Sequence, residues 1–272
     1  MKKIRFLHIP KTAGTTFTQL LNGIYHDKKS FHFSGDFKSD AHRFNLLSEQ
    51  EKDNIELIVG HAPINTGIEY IDDIETITFL REPVSRVKSF CQHVYEGKSE
   101  YLLSRFPKEK FDLDAFLNSR VLELHNLQVK MLLNTGACAP TIQVPRCDAV
   151  NMAFNNLTQK VSAYGLLEYF DESLILFKKQ FNWYLPHYKI TNTKNEKELL
   201  KFEPRHIEKI MDNNELDLKL YQLAKDRFEE KIHDKSFSIK TLKRYRRKLF
   251  DLQTNSDKLI DLFEKVIHRT KS

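Results

Sequence analysis

The stretch IRFLHIPKTAGTTFTQLLNGIY, residues 4–25, holds a strand, a turn and a helix in the order that opens an α/β fold. Residues Ile4 to Ile9 are mostly apolar and run into Pro10, which indicates a buried strand that ends in a loop. From Thr15 to Tyr25 the apolar residues recur at helical spacing, at Phe17, Leu20, Leu21 and Ile24. We therefore predict a strand, a loop and a helix here, as the first unit of an α/β domain.

Three further runs repeat the strand pattern, and helical patterns follow two of them. The runs are IELIVG (Ile55–Gly60), TITFLR (Thr76–Arg81) and VSAYGLLE (Val161–Glu168). Pro83 starts a helical pattern that continues over Val84–Val94, and Asp171 is placed to cap the helix after the last run. Strands that alternate with helices predict a central parallel sheet flanked by helices.

Two segments lack the strand pattern. Residues Asp27 to Arg43 are polar, with aromatic residues and histidines at no clear period, and we predict a loop that faces substrate. From Glu203 onward the pattern is helical, which predicts a helical C-terminal region. It includes a basic amphipathic helix over Ser238–Leu252 and a last helix over Asp257–His268.

Composition limits the class of protein. Lys and Arg number 43 against 37 Asp and Glu, a net charge of +6, which suits an anionic ligand but is too mild to indicate nucleic acid. The three cysteines are Cys91, Cys138 and Cys147. Their spacing predicts no metal site and favours a reducing, cytoplasmic compartment, although a Cys138–Cys147 disulfide stays open. No stretch is long and apolar enough for a signal peptide or a membrane span.

The loop after the first strand has the residues of an anion-binding site. A turn that leaves a buried strand and opens a helix directs backbone N–H groups and the positive end of the helix dipole to one point. Gly14 lets the backbone approach a ligand, Thr15 and Thr16 add hydroxyl groups, and Lys11 adds a positive charge. The ATP-binding loop has its lysine after the glycine, whereas here the lysine precedes it.

With Pro10-Lys11-Thr12-Ala13-Gly14-Thr15-Thr16, the chain resembles the sulfotransferases that use 3′-phosphoadenosine-5′-phosphosulfate (PAPS). It is similar to a soluble, bacterial-type member of their carbohydrate branch, sulfotransferase family 2, which includes the heparan sulfate 2-O-sulfotransferases. In that family a P-K-T-[AG]-[GST]-[ST] loop binds the 5′-phosphosulfate. The resemblance implies a P-loop-like sulfotransferase fold, and it implies donor contacts from Lys11, Thr12, Ala13, Gly14, Thr15 and Thr16.

A second motif, LREPVSRVKSF, resembles the family's 3′-phosphate signature and implies that Arg81 and Ser89 bind this phosphate. The chemistry agrees, because an arginine at the carboxyl end of a strand faces the ligand crevice of an open α/β sheet. Two alternatives stay open: Arg81 pairs with Glu82 or caps a helix, or Arg86 takes the same role.

Fainter resemblances cover three more segments, HNLQVKMLL (125–133), YGLLEYFDESLILFKKQF (164–181) and YKITNTK (188–194). The third matches a loop that closes over the nucleotide in the family and implies contacts from Lys189 and Thr191. The likeness ends near Ile232, so we divide the chain into a PAPS-binding domain, 1–232, and a basic helical extension, 233–272, packed on it or projecting from it.

Lys11 and His61 are the predicted catalytic residues. Charge builds on the departing phosphate oxygen during sulfuryl transfer, and Lys11 is placed to stabilise or protonate that oxygen. His61, in IVGHAP, follows a strand and titrates near neutrality, and the family carries its catalytic base in a similar G-H segment. Asp36 and Glu168 are rival bases. Of the other histidines, we expect His8 to be structural, and the candidates for the acceptor side are His32, His42 and His93.

These residues predict a sulfotransferase that moves the sulfuryl group of PAPS to a carbohydrate hydroxyl and releases 3′-phosphoadenosine-5′-phosphate (PAP). The prediction includes no metal, no nucleic acid partner and no transmembrane segment. One alternative is a P-loop kinase that uses ATP. Another is a non-catalytic binder of anionic polysaccharide, nucleic acid or membrane through the basic run Lys240–Lys248, which also leaves peripheral contact with the inner membrane face open.

Overall fold

A computed structural model describes residues 1–133, 146–186, 188 and 199–251. Its strands form one parallel sheet in the order β2-β3-β1-β4-β5. The strands are β1 (Ile4–Leu7), β2 (Lys29–Phe33), β3 (Ile55–Gly60), β4 (Glu75–Leu80) and β5 (Val161–Leu166). The helices up to the end of the sheet are α1 (Gly14–Ile24), α2 (Phe37–Asn45), α3 (Glu49–Asp53), α4 (Glu69–Asp72), α5 (Pro83–Tyr95), α6 (Leu113–Leu117), α7 (Leu127–Leu133) and α8 (Arg146–Gln159). After β5 follow α9 (Phe170–Phe181), α10 (Pro204–Asn213), α11 (Glu215–His233) and α12 (239–251).

The predicted fold class, α/β with a central parallel sheet flanked by helices, is confirmed. Successive strand residues point to opposite faces, and β1 contributes to the core on both. Phe6 packs with Phe17 of α1 and Phe177 of α9, whereas Leu7 belongs to the cluster that contains Leu132 of α7 and Phe228 of α11. The central strands β1 and β3 are mostly apolar and almost entirely buried, because both of their faces are covered.

The strand order places a ligand crevice beside β1. The chain runs from β3 on one side of β1 to β4 on the other, with Ile4 opposite both Leu57 and Glu75. All strands are parallel, so the loops after β1, β3 and β4 leave the same edge of the sheet. Ligands of open α/β sheets bind at such a point.

The prediction that Asp27–Arg43 forms a loop is wrong, because β2 and the first part of α2 lie there. Strand β2 is at the sheet edge and buries only Phe31 and Phe33, so its short run gives little periodic signal. The carboxylate of Asp36 then caps α2 by accepting a hydrogen bond from the backbone N–H of Ser39.

The predicted helix cap at Asp171 is also wrong. The helix α9 begins at Phe170, and Asp171 lies in its first turn. Its carboxylate accepts hydrogen bonds from the hydroxyl of Tyr188, at 2.7 Å, and from Arg246 of α12, at 2.7 Å. An acidic residue in the first turn still interacts favourably with the helix dipole.

The basic helix α12 packs on the α/β core. Leu242 and Tyr245 are buried in the same cluster as Phe177, and the Tyr245 hydroxyl donates to the carbonyl of Pro186. Arg246 also bonds both carboxylate oxygens of Glu172, at 3.0 Å. No helix among the described residues is long and apolar enough to cross a membrane. Cys138, Lys189, Thr191 and the predicted helix 257–268 lie outside the described residues, as does the side chain of Cys147.

Candidate functional site

A cavity of about 1280 Å³ opens at the carboxyl ends of β1, β3 and β4. The predicted site residues that line it are Lys11, Ala13, Gly14, Thr15, Thr16, His61, Arg81 and Ser89. Three segments far apart in sequence therefore contribute to a single cavity, because parallel strands bring their carboxyl ends together. The side chain of Thr12 does not line it.

The loop between β1 and α1 is held in an uncommon backbone conformation. Lys11 and Ala13 have φ angles of 69° and 74°, in the left-handed region that residues other than glycine seldom occupy. Thr12 is buried between them, and its hydroxyl donates to the carbonyl of Ile9 at 2.9 Å, which fixes the turn. Ala13 is the N-cap residue of α1 and provides no side-chain hydrogen bond to the helix. Backbone strain of this kind occurs at ligand-binding turns, and the first N–H groups of α1 suit an anion.

The absence of a side chain at Gly14 makes room for a neighbouring imidazole as well as for a ligand. A Cβ atom at Gly14 would lie 1.5 Å from Nε2 of His8, so the imidazole ring occupies the space that a side chain would fill. The ring of His8 also stacks on Phe6 at 5.4 Å and lies 4.4 Å from the ring of His61. Burial, followed by the charges of His61 and Lys11, lowers the pKa of His8 to about 3. His8 is therefore neutral; it is half-buried, packs against Phe6 and His61, and also lines the cavity.

His61 has the tautomer that a general base needs. Its Nδ1 lies 2.7 Å from the carbonyl oxygen of His8, and because a carbonyl can only accept, Nδ1 carries the proton. The other ring nitrogen, Nε2, then has a lone pair. Burial lowers the pKa of His61, partly offset by the hydrogen bond to His8 and by the charge of Glu123. The imidazole is thus neutral at pH 7 and able to accept a proton.

Arg5 of β1 holds the segment that follows His61. Its guanidinium is buried and donates to the carbonyls of Pro63 and of Ile64, the latter at 3.0 Å. It also lies 3.4 Å from the carboxylate of Asp72. Burial lowers the pKa of Arg5 to about 10, which leaves it charged at neutral pH. No role could be assigned to Arg5 from the sequence, since nothing in a sequence shows which carbonyls an arginine will reach.

Arg81 is fixed by backbone and side-chain contacts at the end of β4. Gln128 accepts from its backbone N–H and donates to its carbonyl, both at 2.9 Å. The guanidinium donates to the carbonyl of Lys11 at 3.2 Å, which links the two predicted phosphate-binding segments. Glu82 uses its carboxylate to cap α5, and Arg86 is fully buried and donates to the carbonyl of Glu123. Arg81, and not Arg86, therefore faces the cavity.

Two helices cap each other beneath Gln128. Asp217 of α11 accepts from the backbone N–H groups of Gln128 and Val129 at the start of α7. In return, the side chain of Asn126 accepts from the N–H groups of Leu216 and Asp217 at the start of α11. These bonds satisfy donors that helix starts leave open. The fainter motif HNLQVKMLL thus has a structural role, since it contains Gln128, whose side chain bonds the backbone of Arg81.

The carboxylates of the two rival bases accept hydrogen bonds from other parts of the protein. Glu168 accepts from the backbone N–H of Glu82 and from the hydroxyl of Tyr221, and it does not line the cavity. Asp36 lines the cavity and caps α2. Of the histidines predicted for the acceptor side, His93 lines the cavity, whereas His32 and His42 do not.

The cavity is also lined by two groups of residues to which the sequence assigned no individual role. One is apolar and consists of Leu167, Phe170 and Tyr188, in which the rings of Phe170 and Tyr188 are 5.2 Å apart. The other contains Tyr101 and Glu123. Neither group forms a spaced motif, because its members come together only through the tertiary fold. Among the described residues, no group of three or more His, Cys, Asp or Glu side chains could hold a metal ion.

No family model matches the chain. It is similar to heparan-sulfate 6-O-sulfotransferase 3 of Homo sapiens and of Mus musculus, at 26% identity in each case. The alignments cover 85% of this chain but only 58% of each relative, so the chain spans little more than half of their length. This distant similarity points to the sulfotransferases in general. The narrower resemblance to family 2 and to a soluble, bacterial-type member stays a prediction.

Proposed function

We propose that this protein is a PAPS-dependent sulfotransferase that acts on a hydroxyl group of a carbohydrate or glycoconjugate. The observation that carries the proposal is that the β1–α1 loop, Arg81 with Ser89, and His61 all line the same cavity. The distant similarity to proteins named as heparan-sulfate sulfotransferases supports the reaction class and a carbohydrate acceptor.

The cavity fits the donor chemically. The N–H groups at the start of α1, the hydroxyls of Thr15 and Thr16 and the charge of Lys11 would hold the 5′-phosphosulfate. Arg81 and Ser89 would hold the 3′-phosphate, since a guanidinium presents several donors in one plane. The apolar residues Leu167, Phe170 and Tyr188 would border the adenine. We also propose that the donor contacts the backbone of Thr12 and the side chains of Lys189 and Thr191.

Two residues would carry the chemistry. Nε2 of His61 would take the proton of the acceptor hydroxyl while the oxygen of that hydroxyl bonds to the sulfur of PAPS. The bond between sulfur and the bridging phosphate oxygen breaks, and PAP leaves with the electron pair. Lys11 would stabilise the negative charge that develops on the bridging oxygen, as preorganised cations do in related transfers. In this proposal, the lysine precedes Gly14 because it acts on the leaving group.

A ligand-induced thermal shift separates this reading from a P-loop kinase. We expect PAP to raise the melting temperature strongly at concentrations where ATP with Mg²⁺ has little effect, because ligand binding to the native state stabilises it. The replacement Arg81→Ala should remove most of the PAP effect, and Arg227→Ala, at an exposed arginine outside the cavity, should not. A stronger shift with ATP and Mg²⁺ would contradict the proposal.

Transfer of label from PAPS to heparan sulfate tests the base. We expect His61→Ala to reduce turnover by about 10²- to 10⁴-fold while PAP still stabilises the protein. His26→Ala is the matched control, since His26 is exposed and outside the cavity. Near-normal turnover in His61→Ala would show that another group is the base.

The division at residue 232, the cytoplasmic location and membrane contact stay proposals. The run Lys240–Lys248 supports peripheral contact only through its exposed face, because Leu242 and Tyr245 are packed against the core and Arg246 is paired with acidic residues of α9. Its remaining basic side chains, Lys240, Lys243, Arg244, Arg247 and Lys248, are exposed.

A further inference from the structure

Tyr101 is an exposed aromatic residue that is held in place. It has 62% of its surface accessible, yet its hydroxyl donates to the carboxylate of Glu123 at 2.6 Å. Both residues line the cavity that contains His61. Single exposed apolar side chains are ordinary, but this one borders the proposed reaction centre and is tethered at its polar end.

The backbone beneath Tyr101 is anchored as well. Tyr101 is the middle residue of a 3-10 turn, Glu100–Leu102, whose two sides are fixed by buried residues. Ser99 is 7% exposed, and Leu102 is 4% exposed and packs in the cluster that contains Phe90 and Phe116. The aromatic ring is therefore constrained at the backbone and at the hydroxyl, so binding a ligand on its face costs little conformational entropy.

Glu123 is equally well positioned. Its backbone carbonyl accepts from the guanidinium of Arg86 at 2.8 Å, and the next residue, Leu124, is fully buried. The carboxylate is near enough to His61 for its charge to raise the pKa of the imidazole. A carboxylate has about four acceptor positions, so the hydrogen bond from Tyr101 leaves capacity for ligand hydroxyls.

We propose that Tyr101 and Glu123 form the acceptor subsite, which binds one hexopyranose ring of a polysaccharide beside His61. The C–H face of the sugar packs on the aromatic ring, and a hydroxyl next to the reacting one donates to Glu123. A carboxylate here disfavours the phosphates of the donor and favours a ligand that presents hydroxyl donors. This assignment rests on the proposed function, and it names the side of the cavity that the acceptor occupies.

The experiment measures transfer from PAPS to heparan sulfate, chondroitin and dextran, together with the PAP-induced thermal shift. We expect Tyr101→Ala to raise the acceptor KM about tenfold, which corresponds to about 1.4 kcal/mol. Tyr101→Phe keeps the ring and should raise it less, and Glu123→Gln should also raise it. The KM for PAPS and the thermal shift should stay within about twofold of wild type. Tyr184→Ala is the matched control, since Tyr184 is 77% exposed and outside the cavity.

The outcomes separate this subsite from the proposed function. An unchanged acceptor KM in Tyr101→Ala and Glu123→Gln would overturn the subsite while leaving the transfer reaction in place. The subsite would also be overturned if the wild-type protein were stabilised by PAP but sulfated none of the three polysaccharides. Loss of the PAP shift in Tyr101→Ala would place the residue in the donor site instead. A wild-type protein that PAP does not stabilise would overturn the proposed function itself, and the subsite with it.

Discussion

Two helices begin at the edge of this cavity, and their first turns are built in opposite ways. At α1, the N-cap residue is Ala13, in a left-handed conformation and without a capping side chain. At α5, Pro83 occupies the first turn, and the carboxylate of Glu82 accepts from the N–H groups of Val84 and Ser85, at 2.9 and 2.7 Å.

The difference explains how one sheet edge would provide the two kinds of anion contact that we propose. A capped helix has its first N–H groups satisfied from within, so α5 offers side chains, Ser89 and, before the helix, Arg81. The first turn of α1 receives no such cap, so its backbone donors and its dipole suit a ligand. If this comparison is right, adding a cap to α1 and removing one from α5 should have different consequences.

Among changes at the two helix starts, the largest effect should come from the cation beside the first turn of α1. Lys11→Ala should lower turnover by about 10²- to 10³-fold, because a preorganised charge on the leaving oxygen is worth that much in comparable sites. PAP should still stabilise the variant, although less than it does the wild type. Lys235→Ala, at an exposed lysine outside the cavity, is the control. An effect confined to KM would mean that Lys11 binds the donor without acting on the leaving group.

Ala13→Asp should weaken PAP binding by about 10- to 100-fold. Aspartate tolerates the left-handed conformation better than most residues, so the loop can persist, while its carboxylate would occupy the donors of α1 and repel phosphate. Ala13→Gly is the matched variant, since glycine keeps the backbone conformation without adding charge. Isothermal titration with PAP measures both. Equal affinities in the two variants would show that the start of α1 is not the anion contact.

The strand, turn and helix around the first turn of α1 could be predicted from the sequence, but the segment that follows this helix could not. The loop, β3 and the sheet class followed from local patterns, because buried strands and a strand–turn–helix unit are recorded in adjacent residues. The segment Asp27–Arg43 did not, since an edge strand that buries two phenylalanines has almost no period to detect. Local pattern favoured Asp171 as a cap, whereas tertiary contacts with Tyr188 and Arg246 determine its role.

The residues that line the cavity were predictable where they follow a strand or lie in one segment, and unpredictable where they depend on packing. His61 and Arg81 could be identified at strand ends, which all open on the same crevice. That Gly14 makes room for His8, or that Arg5 holds the backbone after His61, depends on distances between strands that no spacing reveals. Tyr101 and Glu123 are 22 residues apart and meet through a single hydrogen bond.

The two histidines beside the first turn of α1 should make the protein sensitive to acid. Both have a pKa below the ordinary value of about 6.5, so below that pH the unfolded chain binds more protons than the folded one. Stability should therefore fall as the pH drops from about 6.5 towards the His8 pKa of about 3, by at most about 1.4 kcal/mol per pH unit for each histidine.

Melting curves of wild type and His8→Gln between pH 7 and pH 4.5 measure this contribution. The variant should lose less stability over this range, because its side chain does not titrate. Because the pKa of His61 is also lowered, the acid limb of the turnover profile should lie below pH 6.5, where His61 becomes protonated. Parallel losses in the two proteins would show that other groups account for the acid sensitivity.

The smallest effect should come from the cap of α5. Glu82→Ala leaves two N–H groups of the first turn without their protein partner, at a cost of about 1 kcal/mol, or roughly 2–4 °C in melting temperature. PAP affinity should change far less than in Ala13→Asp, because the nucleotide contacts assigned to this segment are side chains. Glu82→Asp should recover part of the stability. If Glu82→Ala weakened PAP binding as much as Ala13→Asp does, the two helix starts would act alike, and the contrast between a donor-offering and a capped first turn would fail.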